Sequence, residues 1–214
     1  KTVKILEVKG VSKHFGGLKA LSEVDFDVEQ GEVFGIIGPN GSGKTTLFNV
    51  ITSIYPLTVG TIIYQGEINN GLKPYKVTQR GIVRTFQNIR IFKSMSVMDN
   101  VLVGRHCKMR TSLTGALFQT KAKRETDAMA REKASYFLEY VGLGKKRNEI
   151  ASNLSYGEQR NLEIARALAS EPSLLLLDEP AAGMNPYDAG QLMSLIKRIS
   201  DMGITILVIE HNMQ

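Results

Sequence analysis

The chain has 214 residues, of which 43% are hydrophobic and 22% are charged, with a formal net charge of +6. This is long enough for one sizeable α/β domain or for a domain plus a small subdomain. The apolar runs SLLLL and ITILVI are far shorter than the ~18 residues of a membrane-spanning helix. A positive charge permits binding to polyanions, but the basic residues are scattered, so short clusters such as Lys121, Lys123 and Arg124 indicate a solvated helix face. The single cysteine, Cys107, cannot form an internal disulfide, which favours a reducing cytosolic setting.

The first elements along the chain are predicted to be strands followed by a loop and a helix. Val24, Phe26 and Val28 alternate with acidic residues, which is typical of half-buried antiparallel strands. The segment EVFGIIG at 32–38 is nearly all apolar and predicts a parallel strand covered on both faces. Apolar residues at helical spacing follow the glycine-rich turn, and Pro56 closes that helix. They are Leu47, Val50, Ile51 and Ile54.

The middle and end of the chain complete an α/β pattern. Residues from about 89 to 169 predict an inserted helical subdomain with an apolar stripe at Ala130, Ala134, Phe137 and Val141. The segments SLLLLDE and ITILVIEH predict two more buried strands. The helix between them carries an apolar stripe at Leu192, Leu195, Ile196 and Ile199. The predicted fold class is therefore α/β, with a mainly parallel sheet in the core, an N-terminal antiparallel β-subdomain at about 1–30 and 60–70, and all parts within one domain spanning 1–214.

The segment GPNGSGKTT carries the pattern G-x-x-x-x-G-K-[ST] from Gly38 to Thr45, between an apolar strand and a helix. Glycines let backbone N–H groups turn around phosphate oxygens, and the helix N-terminus adds partial positive charge. Lys44 would reach the β- and γ-phosphates, and Thr45 would give its hydroxyl to Mg²⁺. A plain βα turn is the alternative reading. The predicted nucleotide contacts are Gly38, Pro39, Asn40, Gly41, Ser42, Gly43, Lys44, Thr45 and Thr46.

The segment LLLLDEP places two acidic residues at the carboxyl end of a buried strand, where open α/β sheets bind ligands. Asp178 suits Mg²⁺, and Glu179 can act as a general base that polarises the attacking water. A polar strand end that meets solvent is the alternative. In LSYGEQR, Ser155 and Glu158 have the spacing of a capping box, which predicts a helix start.

Together, GPNGSGKTT, LSYGEQ, LLLLDEP and the histidine after ILVIE resemble the nucleotide-binding subunit of an ATP-binding cassette (ABC) transporter, over almost the whole chain. The resemblance implies a P-loop NTPase core that hydrolyses ATP with Mg²⁺. It implies that Phe15 stacks on adenine and that Gln87 contacts Mg²⁺ and links it and the water to the transporter interface. It also implies that His211 contacts the γ-phosphate.

The resemblance also implies partners. Ser155 and Gly157 would contact the γ-phosphate of ATP on the other subunit of a head-to-tail homodimer or heterodimer. Transmembrane permease subunits would bind a groove after Gln87, and an extracytoplasmic substrate-binding protein would complete an assembly at the cytoplasmic face of the membrane, with no nucleic-acid partner. The apolar candidates for this groove are Ile89, Ile91, Phe92, Met95, Val97 and Met98.

The chain departs from the common family pattern at two positions, Tyr156 in the signature segment LSYGEQ and Asn185 in PAAGMNP. With these two residues it resembles the nucleotide-binding subunits of branched-chain amino-acid importers. Urea or amide importers and a lipopolysaccharide exporter have similar subunits. Two alternative functions belong to other classes of protein. One is a soluble cassette protein that acts on DNA or ribosomes, and the other is a small-molecule phosphotransferase. Family members continue past His211, so we expect the C-terminus to be incomplete.

Overall fold

The computed structural model of the chain describes residues 3–105 and 121–210. In the second range, side chains are described from residue 124 onward. The chain divides into two units, of which the first is Lys1–Gln87 with Pro172–Gln214 and the second is Asn88–Glu171. Cys107 and His211 lie outside the described residues. The predicted domain boundaries stay predictions.

The first unit begins with an antiparallel sheet, as the alternating pattern predicts. Strands β1 (Lys4–Phe15) and β2 (Leu18–Glu29) form a long hairpin. Two further strands, β4 (Val59–Tyr64) and β5 (Glu67–Ile68), extend the sheet in the order β2-β1-β4-β5.

The second sheet of this unit is parallel, and its described strands are β3 (Val33–Ile37), β6 (Ile82–Arg84), β7 (Leu174–Asp178) and β8 (Thr205–Glu210). Among the described residues, their order in the sheet is β3-β8-β7-β6. All of β7 is buried, as its apolar run predicts. The antiparallel and parallel sheets together confirm the predicted α/β fold class.

The expectation that β3 is covered on both faces is wrong. Val33 and Ile37 are 45% and 49% exposed, whereas Phe34 and Ile36 pack against the core. The exposed residues Val33, Gly35 and Ile37 alternate with the packed ones, so one face of β3 is not covered within the described residues. Its apolar run does not distinguish this half-covered strand from a fully buried one.

The described part of the first unit contains three helices: α1 (Lys44–Ile51), α2 (Pro74–Arg80) and, later in the chain, a helix over Pro186–Asp201. Helix α1 buries its apolar stripe but ends before Ile54, which is exposed. The Pro186–Asp201 helix buries the predicted stripe, and Asn185 caps its N-terminus by accepting a hydrogen bond from the Asp188 N–H at 2.8 Å. The core of this unit lies between α1 and strands of both sheets.

The second unit is helical in its described part, with α3 (Val97–Arg105), α4 (Lys121–Tyr140) and α5 (Tyr156–Ala169) as its longer elements. The Pro186–Asp201 helix is therefore α6. The predicted stripe on and after α4 is buried, which confirms it as core.

Of the six apolar positions after Gln87, Val97 and Met98 are buried, Phe92 is 47% exposed and the others are partly buried. Across both described ranges, the helices are too short or too polar to cross a bilayer.

Candidate nucleotide-binding site

The glycine-rich loop connects β3 to α1 and closes around the first residue of that helix. Gly43 has φ +91° at the helix N-cap position, a left-handed conformation that glycine adopts without a Cβ penalty. Lys44 is buried, and its Nζ donates hydrogen bonds to the carbonyl oxygens of Gly38 at 2.5 Å and Pro39 at 2.9 Å. The loop carbonyls thus hold the ammonium at the helix N-terminus, where an incoming phosphate oxygen would compete for it.

A cavity of about 350 Å³ lies beside this loop, within the size range of small-molecule sites. It brings together most of the predicted site residues, which come from four separate parts of the chain. Those that line it are Phe15, Asn40, Gly41, Ser42, Gly43, Lys44, Thr45, Thr46, Gln87 and Glu179. Sequence reasoning missed three further lining residues, Leu18, Lys19 and Ala20, which begin β2 directly after the hairpin turn that follows Phe15.

The Phe15 ring is held at the mouth of the cavity by two neighbours. Tyr55 packs edge-on against it with ring centroids 5.3 Å apart, and the Lys13 Nζ lies 4.7 Å from its centroid. The ring is 41% exposed. An aromatic ring held this way can stack on a planar ligand, and its contact with adenine stays a prediction.

Asp178 and Glu179 follow each other at the end of β7 but have different surroundings. Glu179 has φ +44°, and its Oε2 accepts a hydrogen bond of 2.7 Å from the Gln87 Nε2 at the cavity. A non-glycine residue in this left-handed region costs on the order of 1–3 kcal/mol, and such strain concentrates at functional sites. The turn separates the two carboxylates, so that Glu179 lines the cavity and Asp178 is buried next to strand β6.

Asp178 forms an ion pair that sequence reasoning did not find. The Nη2 of Arg84 lies 2.6 Å from Asp178 Oδ2, and both side chains are almost fully buried. The one sequence signal was an arginine at the end of the apolar segment GIVR, since a buried arginine requires a partner.

The LSYGEQ segment lies in the second unit, at the start of α5. The Ser155 Oγ accepts from the Glu158 N–H at 3.4 Å, while the Ser155 N–H donates to Glu158 Oε2 at 3.0 Å. The predicted capping box is therefore confirmed. Ser155 is exposed and Gly157 is partly exposed, and their contact with a nucleotide on a second subunit stays a prediction.

Comparisons with known proteins agree on one family. Residues 21–182 match the family described as ABC transporter. The chain is 46% identical over 211 residues to the high-affinity branched-chain amino acid transport ATP-binding protein BraF of Pseudomonas aeruginosa, covering 98% of this chain and 83% of that protein. It is 42% identical over 211 residues to LivG of Escherichia coli, a protein of the same description, with the same coverage.

Solved structures give the same relationship. The fold matches a crystal structure of the ADP conformation of MJ1267, an ATP-binding cassette of an ABC transporter, with a TM-score of 0.86 and 36% identity. The match covers 100% of this chain and 83% of that one. With the glycine-rich loop, Glu179 and Gln87 gathered at one cavity, these matches establish that the chain belongs to the ABC transporter family.

Proposed function

We propose that this chain is the ATP-binding and ATP-hydrolysing subunit of an ABC importer for branched-chain amino acids. The observation that carries the proposal is the cavity in which the Lys44 loop, the Phe15 ring and the Glu179 carboxylate meet. The loop suits a triphosphate because Lys44 and the N-terminus of α1 are both positive. Family membership supports the same activity.

Glu179 acts as the general base. It accepts a proton from the water whose oxygen attacks the γ-phosphorus, while the bond to the bridging β–γ oxygen breaks and ADP leaves with that oxygen. Gln87, which donates to Glu179 Oε2, orients this carboxylate. Lys44 stabilises the charge on the β- and γ-phosphates, and Phe15 stacks on the adenine ring of ATP.

The experiment that tests this assignment is Glu179→Gln. The amide keeps the size of the side chain but cannot take the proton, so hydrolysis should fall by about 10²-fold or more while ATP binding persists. Calorimetry measures binding and phosphate release measures hydrolysis. Glu132→Gln, an exposed change on α4, is the matched control and should alter neither. Loss of ATP binding, or full hydrolysis, in Glu179→Gln would refute the role of Glu179.

The residues present fit Mg²⁺ that arrives with the nucleotide. Asp178 Oδ1 is buried and has no hydrogen-bond partner within the described residues. The described residues contain no cluster of three or more acidic, histidine or cysteine side chains that could bind a metal ion by itself. Mg²⁺ commonly takes one or two protein oxygens and completes its shell with water and substrate phosphates, so Asp178, Thr45 and Gln87 suffice. When bound, the ion supplies charge neutralisation on the phosphates.

Hydrolysis in this proposal requires a second subunit. A helix start provides N–H groups for an anion, so Ser155 and Gly157 at the start of α5 can bind the γ-phosphate of a nucleotide held by the partner, in a homodimer or heterodimer. Glu179→Gln with ATP should therefore elute as a dimer in size-exclusion chromatography. Elution as a monomer at concentrations that saturate ATP binding would contradict this arrangement.

The proposal extends to the cargo and the remaining partners, and the descriptions of the relatives support it. BraF and LivG are described as branched-chain amino acid transport ATP-binding proteins. In this proposal, permease subunits and an extracytoplasmic binding protein complete the assembly, with this chain at the cytoplasmic face of the membrane. Proteoliposomes holding the assembled transporter should import leucine, with Lys44→Ala as the inactive control. Import of urea in place of leucine would assign the related importer class.

A further inference from the structure

Arg84 contacts the predicted site residue Asp178 but does not line the cavity. It ends β6, and Asp178 ends the neighbouring parallel strand β7. The Nη2 to Oδ2 distance is 2.6 Å, and the two side chains are 5% and 2% exposed. Charges this well buried require a partner, because an isolated buried charge costs several kcal/mol.

Further contacts hold the guanidinium through its Nη1 and its flat faces, whereas its buried Nε has no hydrogen-bond partner within the described residues. Its Nη1 donates to Asn49 Oδ1 at 2.5 Å, which ties it to α1, the helix that begins at Lys44. Its central carbon lies 5.4 Å from the ring centroid of Phe48 and 5.1 Å from that of Phe86. Contacts with two aromatic faces and a fork of hydrogen bonds are particular to arginine, and they keep this cation at one place.

This arrangement divides the Asp178 carboxylate into two unequal halves. Oδ2 is committed to Arg84, whereas Oδ1 has no hydrogen-bond partner within the described residues. A divalent cation therefore meets a carboxylate whose charge is already balanced by a fixed cation. Such a site attracts a free divalent ion weakly, because the guanidinium repels the ion as the carboxylate attracts it.

We propose that Arg84 is the permanent counter-ion of Asp178, a positioning residue that makes divalent-cation binding dependent on the nucleotide. Phosphate oxygens supply the negative charge that the Arg84–Asp178 pair lacks. Arg84 thereby lets Asp178 remain a buried carboxylate before the nucleotide arrives, and it prevents the empty site from accumulating metal. The inference rests on the proposed function, in which Asp178 binds the cation.

Arg84→Gln tests the proposal, because an amide can still donate to Asp178 but carries no charge. Mn²⁺ replaces Mg²⁺ as the probe, and free Mn²⁺ is measured by electron paramagnetic resonance with and without ADP. Without nucleotide, Arg84→Gln should bind Mn²⁺ at least about tenfold more tightly than the wild type, whereas Arg84→Lys, which keeps the charge, should not. Adding Asp178→Asn to Arg84→Gln should abolish the gain.

The outcomes separate this inference from the proposed function. Equal Mn²⁺ affinity of wild type and folded Arg84→Gln without nucleotide would overturn the role of Arg84, even if Asp178→Asn weakens Mn²⁺–ADP binding. If Asp178→Asn leaves Mn²⁺–ADP binding unchanged, the proposed role of Asp178 fails, and this inference fails with it.

A measurement on the wild type keeps the proposal testable even if Arg84→Gln does not fold. The Arg84 guanidinium protons, assigned by their absence in Arg84→Lys, should remain protected from solvent exchange both without ligand and with Mg²⁺ and ADP. Loss of that protection on ligand binding would show that Arg84 leaves Asp178, which overturns a permanent counter-ion.

Discussion

Replacing Gly43 by alanine should damage both the stability of the chain and its affinity for nucleotide. A Cβ built on Gly43 would lie 2.5 Å from the carbonyl oxygen of Ala20 and 2.9 Å from Leu21 Cδ2, and the residue has φ +91°. The left-handed conformation costs alanine about 1–2 kcal/mol. Overpacking against neighbours that cannot move away adds about 1–3 kcal/mol, since the Ala20 carbonyl belongs to strand β2. The free energy of unfolding should therefore fall by about 2–5 kcal/mol.

Two other glycines separate these contributions. Gly41 has φ +80° in the same loop, but a Cβ there meets no atom within 4 Å, so Gly41→Ala should cost only the conformational ~1–2 kcal/mol. Gly190 lies in α6 with open space around it and an ordinary φ. Gly190→Ala should stabilise the chain by about 0.5–1 kcal/mol, because alanine favours a helix.

Urea unfolding measures the three changes, and calorimetry with ATP measures affinity in the same preparations. The expected order of stability is Gly190→Ala above wild type, then Gly41→Ala, then Gly43→Ala, with nucleotide affinity lost in Gly43→Ala and unchanged in Gly190→Ala. Equal stability of the Gly41 and Gly43 variants would refute the reasoning, since the contact with the Ala20 carbonyl would then carry no cost.

The remaining predictions concern the second unit. Gly104→Ala should lower the free energy of unfolding by about 1–3 kcal/mol despite the higher helix propensity of alanine, because its Cβ would lie 2.1 Å from the Arg166 carbonyl oxygen; urea unfolding with unchanged stability would contradict that close approach of α3 and α5. Ser155→Ala should cost about 1 kcal/mol in the same assay, since it removes the acceptor for the Glu158 N–H, whereas Ser155→Gly should cost only a few tenths. Partial burial acts to raise the pKa of Glu158, but hydrogen bonds from Lys146 and the Ser155 N–H outweigh it and lower that pKa below its ordinary 4.5. Its charge therefore stabilises the fold above pH 4.5 and ceases to do so as the pH falls through the lowered pKa, so the unfolding difference between wild type and Glu158→Gln should vanish in acid.

Local signals in the sequence predict the local structure correctly. The Gly38–Thr45 loop, the carboxylates at the end of LLLLD and the capping box each depend on residues within one turn or one strand end. The chemistry of such segments is set by backbone conformation over a few residues, which spacing reveals. The same holds for the stripes of α4 and α6, because their 3.6-residue period is read directly from the chain.

The exposed face of β3 shows the limit of that approach. Its apolar run is compatible with burial on one side or on both, and coverage depends on which strands and helices lie next to it. Val33 and Ile37 are apolar like the leucines of the buried β7, yet they are nearly half exposed in the described structure. Apolar composition predicted the strand correctly and could not predict its neighbours.

The Arg84–Asp178 pair shows the same limit at the site, with a functional consequence. The two residues are 94 positions apart, and they meet because β6 and β7 pair in parallel with Arg84 opposite Leu176. No local pattern specifies that register, so the motif LLLLDE predicts a carboxylate for the cation but not the charge that balances it. Motif residues therefore identify which atoms can bind a nucleotide and its metal, whereas strand pairing decides how much charge those atoms present before the ligand arrives. The metal affinity of this site should for that reason respond more to Arg84, which contacts no ligand in the proposal, than to substitutions of the exposed lining residue Lys19.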